Sequence, residues 1–226
     1  MQPRLSIVLP VLNESAGVAA ALLALGPLRQ QGHEVIVCDG GSTDGTPALC
    51  AGLADVVLHT APGRARQMNA GAAVARGEVL LFLHADTRLP AEAFAAIALA
   101  LAGGAGWGRF DVDIDGRAAM LPVIAAFMNR RSRWTGIATG DQAIFVCRAL
   151  FNRLGRFADQ PLMEDIELSR RLLQHGHAPA CLHQRVRTSG RRWDERGACR
   201  TIFLMWRLRW QYWRGTPAES LARLYR

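Results

Sequence analysis

Short runs of apolar and β-branched residues, each followed by an Ala/Leu-rich or amphipathic stretch, set the rhythm of the first hundred positions. Positions 5–10 (LSIVLP), 34–38 (EVIVC), 55–59 (DVVLH) and 78–83 (EVLLFL) each read as a short strand. Positions 15–30, about 66–76, and 90–101 with proline in its first turn read as helices. Strand and helix alternating at this spacing predict βαβ units and a mostly parallel sheet. Such sheets bind ligands beyond the carboxyl ends of their strands, so the loops after Pro10, Cys38 and Leu83 are expected to face one crevice.

The second half is less regular. Positions 108–115 alternate like a further strand, 118–131 read as a helix, 142–147 (QAIFVC) as a strand and 164–175 as a helix. From Cys199 onward, apolar residues recur at 199, 202, 203, 206, 210 and 213, while Arg200, Arg207 and Arg214 stand seven apart on another side. That is the period of an amphipathic helix. No repeat or linker-like stretch interrupts the chain, so one catalytic-sized domain over 1–193 is expected, followed by an amphipathic helical tail over 194–226.

Composition narrows the picture. The 226 residues are 50% hydrophobic and 20% charged, enough for a buried core and too apolar for wholesale disorder. All 27 basic residues are arginine, which excludes chemistry built on a Schiff-base or phosphate-loop lysine. The formal charge of +8 is unevenly placed: residues 1–113 hold 7 Arg against 10 Asp and Glu, and residues 114–226 hold 20 Arg against 9. A basic second half suits a phosphate-bearing partner or an anionic membrane surface. Nucleic acid is not expected, because the arginines are not interleaved with aromatics on a recognisable module. Five scattered cysteines without metal-ligand spacing read as reduced thiols, and the N-terminus shows no secretory pattern, so a cytoplasmic location is expected. The longest uncharged run, 93–108, is too short and Gly-rich to span a bilayer.

Candidate chemistry gathers at the strand ends. The first reads Pro10-Val-Leu-Asn-Glu14, the second Asp39-Gly-Gly-Ser-Thr-Asp-Gly45, the fourth His84-Ala-Asp86. A single acidic residue there is ordinarily a cap or turn former, and Asp44 reads equally as shaping its own turn. Three sets converging on one crevice point instead to a binding site.

With SIVLPVLNE (6–14), VIVCDGGSTDGT (35–46), QMNAGAAVARGEVLLFLHADT (67–87) and MEDIELSRRL (163–172) in this order, the chain resembles the family 2 glycosyltransferases. The HADT and GRRW variants are similar to those of a small bacterial branch. The resemblance implies an α/β fold of GT-A type, the nucleotide-diphospho-sugar transferase fold, with a mostly parallel central sheet flanked by helices. It implies a sugar moved from a nucleoside-diphosphate donor to a hydroxyl acceptor, lipid-linked acceptors included, with inversion. Pro10, Asn13 and Glu14 would line the base and ribose pocket. Asp39 would accept from an imide N–H, which suits uracil or thymine and makes a UDP-sugar the expected donor. Asp86 would hold Mg²⁺ or Mn²⁺ against the two phosphates, since a hard cation takes carboxylate, phosphate and water oxygens. Asp165 would be the general base, with Asp141 next in line, and Glu164, Arg192 and Trp193 would lie on the diphosphate and acceptor side. Acidic residues at 164, 165 and 167 also suit the positive end of a helix dipole.

Two departures stand out. The family's Asp-x-Asp metal motif has His84 at its first position, which implies a nucleotide contact, weaker metal affinity or a packed strand-end histidine. Where an Arg commonly precedes the Asn of Asn-x-Gly, this chain has Met68, so Arg66 or Arg64 is expected to bring the cation to the phosphates. Trp206, Trp210 and Trp213 with Arg on the tail fit a membrane interface, which would make the protein peripheral at the inner face. Packing on the domain, or a homodimer through this helix, fits the same pattern. The rival readings are a sugar-nucleotide nucleotidyltransferase, which lacks its Gly-rich basic loop here, and a non-catalytic nucleotide-binding or membrane-associated scaffold.

Overall fold

The computed structural model describes residues 4–225 as one mixed eight-stranded sheet covered by helices on both faces. The strands are β1 (Leu5–Val11), β2 (Glu34–Asp39), β3 (Val56–His59), β4 (Val79–Phe82), β5 (Thr87–Arg88), β6 (Trp107–Asp115), β7 (Ile144–Cys147) and β8 (Ala180–Ser189), in the order β3-β2-β1-β4-β7-β6-β8-β5. β3, β2, β1 and β4 run parallel, and so do β6 and β8; β7 is antiparallel to β4 and β6, and β5 to β8. The carboxyl ends of β1, β2 and β4 therefore meet at one edge, as the βαβ pattern predicts.

The helices are α1 (Val18–Ala24), α2 (Gly26–Gln30), α3 (Thr46–Cys50), α4 (Arg64–Val74), α5 (Ala93–Ala102), α6 (Leu121–Thr135), α7 (Arg148–Arg153), α8 (Glu164–Gln174), α9 (Arg191–Arg196), α10 (Ala198–Trp213) and α11 (Ala218–Tyr225). Alternate side chains of β1 serve two cores. Leu5, Ile7, Leu9 and Val11 join Val18, Leu22 and Ile97 on one face, while Val8 joins Met68, Ala72, Leu168 and Leu172 on the other. Burial of both faces explains the near-continuous apolar runs of these strands.

The expected helix over 15–30 is two helices, because Pro27 in the first turn of α2 cannot continue α1. β8 carries no apolar run: much of it faces solvent, and its pairing with β6 shifts register at Phe110/Asp111. The expected strand over 142–147 begins only at Ile144, after a 3-10 turn at Gly140–Gln142. A buried polar cluster pins α6 to β6. Arg109 pairs with Asp111, Arg133 reaches Asp111 at 2.7 Å, and the Asn129 amide exchanges hydrogen bonds with both backbone groups of Val112 at 2.8 and 3.0 Å.

α4 lies flush on the sheet at Gly71. A Cβ there would stand 2.5 Å from Val8 Cγ1 and 2.8 Å from Cys38 Sγ. Overpacking of this kind costs about 1–3 kcal/mol, offset in part by the ~1 kcal/mol that alanine gains over glycine within a helix. Gly71→Ala should therefore lower the thermal midpoint by a few degrees. An unchanged or raised midpoint would mean that α4 moves off the sheet at little cost.

Candidate active site

The loops after β1 and β2 are stitched together by side chains. Thr43 N–H donates to Asn13 Oδ1 at 2.9 Å, Asn13 N–H to the Ser42 hydroxyl at 2.8 Å, Glu14 N–H to the Thr46 hydroxyl at 2.9 Å, and Ser15 N–H to Asp44 at 2.9 Å. Asp44 also accepts from the backbone and hydroxyl of Thr46, and these hydrogen bonds hold its carboxyl well below the usual range. Its place is in the turn. Asp39 is buried; burial acts to raise its pKa, but hydrogen bonds from Ser42 and Gly41 outweigh it and lower the pKa overall.

α4 ties these loops to the rest of the site. The Gln67 amide donates to Val11 O and Cys38 O, both at 2.8 Å, clamping the ends of β1 and β2 together. Asn69 exchanges two hydrogen bonds with the backbone of Phe157, at 2.9 and 3.1 Å. Met68 is buried in the core. Of the two arginines expected to substitute for a cation at that position, Arg64 lines the cavity described below, with Nη1 3.6 Å from Glu164. Arg66 does not. It turns to solvent and pairs with Asp159 at 2.7 Å, because two residues along the helix rotate its side chain by about 200°, away from the crevice.

Beyond β4, His84 packs against Gly140, where a Cβ would come within 2.6 Å of its ring, and its Nδ1 stands 3.4 Å from Asp141. Asp86 is exposed and has no ion pair among the described residues. Both line a cavity of about 320 Å³ together with Arg64, Gly140, Asp141, Glu164 and Asp165. The opposite wall is Arg191, Arg192 and Trp193 of α9, Thr201, Met205 and Arg209 of α10, and Tyr225 of α11. Pro10, Asn13, Glu14 and Asp39 lie outside this lining, at the β1 and β2 ends, although Glu14 is within electrostatic reach of Arg191, Asp86 and His84.

Asp165 Oδ2 accepts from Gly140 N–H at 2.8 Å, which ties the first turn of α8 to the turn before β7. Burial works to raise the Asp141 carboxyl, but the His84 hydrogen bond and the charges of Arg64 and Arg192 hold it below the ordinary value. Glu164 goes the other way: burial and the neighbouring Asp165 raise it, against the opposing charge of Arg64. Among the described residues no three His, Cys, Asp or Glu side chains converge on a metal position. The donor set that fits a cation is one exposed carboxylate, Asp86, plus oxygens brought by a phosphate ligand, and a hard divalent ion accepts that set.

The tail contributes a wall of this site. The stripe at 203, 206, 210 and 213, expected either to meet a membrane or to pack on protein, faces solvent, with Trp213 78% exposed. Thr201, Leu204, Met205, Leu208 and Tyr212 form the packed side. Arg209 stands half a turn round the helix from Arg200, Arg207 and Arg214 at 3.6 residues per turn, and that offset is the signal by which the sequence marks it as an inward arginine. Arg191 had a similar mark, as the first of the two arginines in GRRW.

The sequence model of the family described as glycosyl transferase family 2 matches residues 6–153. A curated relative, the undecaprenyl-phosphate 4-deoxy-4-formamido-L-arabinose transferase of Aeromonas hydrophila, is 34% identical over 98 residues, covering 38% of this chain and 30% of its own length. The chain thus spans under a third of that relative. Among solved structures, a mannosyltransferase from Pyrobaculum calidifontis in complex with GDP-Man and Mn²⁺ superposes with a TM-score of 0.66 at 21% identity, over 92% of this chain and 61% of its own. Glucosyl-3-phosphoglycerate synthase from Mycobacterium tuberculosis, solved with Mn²⁺, UDP and glucosyl-3-phosphoglycerate, gives 0.57 at 21% identity over 81% and 70%.

Because the folded state holds the Glu164 proton above the ordinary carboxylate value of 4.5, the folded chain binds more protons than the unfolded one across that interval. Stability at this residue is therefore lost as the pH rises from 4.5 through the folded value. Thermal midpoints of wild type and Glu164→Gln, followed upward from pH 4.5, should move apart, with wild type losing ground. A wild type that holds or gains ground on the variant as the pH rises would contradict this.

Proposed function

The chain belongs to glycosyl transferase family 2, and on that premise we propose that it moves a sugar from a nucleoside-diphosphate donor to an acceptor hydroxyl, with inversion at the anomeric carbon. The observation that carries the reading is one cavity lined both by Asp86, at the carboxyl end of β4, and by Asp165, in the first turn of α8. Mg²⁺ or Mn²⁺ at Asp86 would neutralise the donor's phosphates; Mn²⁺ accompanies the nucleotide in two of the neighbouring structures. Asp165, oriented by Gly140 N–H, takes the proton from the acceptor hydroxyl as that oxygen bonds to the anomeric carbon. The bond to the donor's phosphate oxygen breaks, and the electron pair leaves with the diphosphate. Arg192, Arg191 and Arg64 line the path along which that negative charge grows. Asp39 and Glu14 flank the base and ribose, and UDP-sugars are the first donors to test because a uracil N3–H suits a carboxylate. The nucleotidyltransferase reading has no Gly-rich basic loop to rest on.

A lipid-linked acceptor agrees with the printed name of the curated relative and with a second feature of the tail. Phe203, Trp206, Trp210 and Trp213 form an exposed aromatic face on α10, with Arg214 stacked over Trp210 at 4.8 Å. Rings and guanidinium groups so placed suit headgroup depth in an anionic bilayer. No helix among the described residues is long and apolar enough to cross a membrane, so contact would be peripheral.

Asp86→Ala should abolish the Mn²⁺-dependent part of nucleoside-diphosphate binding in calorimetry, and undiminished metal-linked binding would refute the assignment. Asp165→Asn should keep nucleotide affinity while turnover falls about 10²–10⁴-fold, the loss of a positioned base. Near wild-type turnover would move the base elsewhere, to Asp141 first. Co-sedimentation with phosphatidylglycerol vesicles at low salt should weaken for Trp206→Ala/Trp213→Ala. If the wild type stays in the supernatant and runs as a dimer, the aromatic face is a protein interface.

A further inference from the structure

The cavity is lined by Arg64, Arg191, Arg192, Arg196 and Arg209; Arg131 of α6 lies outside the lining, within electrostatic reach of Arg209. Arg191 and Arg192 belong to the end near Asp86: Arg191 acts on Glu14, and Arg192 is within electrostatic reach of Asp141 and Asp86. At the other end stand Arg209 of α10 and Arg131 of α6, whose charges reach Asp165. Neither makes an ion pair or a side-chain hydrogen bond among the described residues, and Nε and Nη2 of Arg131 are buried with no acceptor at all. The nearest carboxylate, Asp165, is held by Gly140 and lies beyond ion-pair distance of both.

Two guanidinium groups within reach of each other's charge and without an ion-pair partner are costly to bury. Burial and the charge of Arg209 push Arg131 down to about 10, with Asp165 opposing them. The donor's diphosphate does not answer to them, because the Asp86 end has its own arginines. What balances a pair of cations is a dianion, and a phosphate monoester carries about −1.5 to −2 charges at neutral pH with oxygens that fit the guanidinium fork. Leu162, Ile166 and Met205 line the same cavity and give such a ligand's carbon stem an apolar wall.

We propose that Arg209, backed by Arg131, forms an acceptor subsite for a phosphate monoester, which brings the accepting oxygen beside Asp165. The proposal deepens the transferase reading and rests on it for the word acceptor; the anion site itself rests on the two arginines alone. The phosphate has two sources, and two probes separate them. In a soluble hydroxyl-bearing ester the accepting oxygen is the free hydroxyl, whose proton Asp165 takes. In a lipid phosphate it is a phosphate oxygen, already deprotonated and in need of no base.

Calorimetric titration of glycerol 3-phosphate and of farnesyl phosphate, with glycerol and farnesol as uncharged controls, is run on the whole protein with and without saturating UDP and Mg²⁺. At least one phosphate should bind saturably where its alcohol does not, and the preferred one identifies the source. Arg209→Gln should weaken that binding at least tenfold, Arg209→Lys less, and Arg131→Gln measurably, with circular dichroism confirming the fold of each and UDP·Mg²⁺ affinity unchanged. Failure of both phosphates to bind wild type overturns the proposal, as does equal affinity in folded Arg209→Gln and Arg131→Gln. In either case normal UDP·Mg²⁺ binding leaves the transferase reading intact. Absence of UDP·Mg²⁺ binding with Arg209-dependent phosphate binding does the reverse: the anion site stands and the donor reading falls.

Discussion

A small apolar cluster outside the sheet decides where the chemistry can happen. Leu162 and Met163, just ahead of α8, pack against Leu208 of α10 and Leu221 of α11. Burying side chains of this size is worth about 1.5–3 kcal/mol each. That contact fixes the backbone at Met163, which takes a left-handed φ of 66°, and so aims the first turn of α8. Glu164 and Asp165 follow directly. The same contact lays α10 across the crevice, so that the position of the candidate base and the arginines facing it are set by one packing event.

Charge is then sorted by element. The strand ends and α8 supply Asp86, Asp141, Glu164 and Asp165, while the helices of the second half supply Arg191, Arg192 and Arg209. Fixed dipoles and charges of this kind favour a ligand whose own charge changes during reaction, which is the electrostatic requirement of a departing diphosphate.

The first half of the sheet was legible because both of its faces are covered, so β1, β2, β3 and β4 are plain apolar runs, and the glycines and carboxylates at the strand ends stand out against them. β8 escaped because half its side chains face solvent. Asp44 and Asp39 are the same residue type in one turn and both accept from its backbone; only Asp44 also ties in the loop after β1, through Ser15, which depends on a neighbouring segment. Arg64 and Arg66 are alike in sequence, and only the helix phase separates the one facing Glu164 from the one facing Asp159. The packed side of the tail was not legible for a physical reason. Its most hydrophobic stripe is aromatic and exposed, whereas the packed side mixes Thr201, Leu208 and Tyr212, so hydropathy alone does not mark the face that docks on the domain.

The central claim is that a metal–nucleotide complex sits at Asp86, beside the wall made by α9 and far from the opposite end of the sheet. Tryptophan indole resonances report on it without any variant. Trp193 lines the cavity, whereas Trp107 starts β6 and donates to His177 O at the other end of that strand. Mn²⁺ added with a nucleoside diphosphate should broaden the Trp193 indole signal at sub-stoichiometric metal and leave Trp107 sharp. Broadening of Trp107 ahead of Trp193, or of neither, would contradict the account.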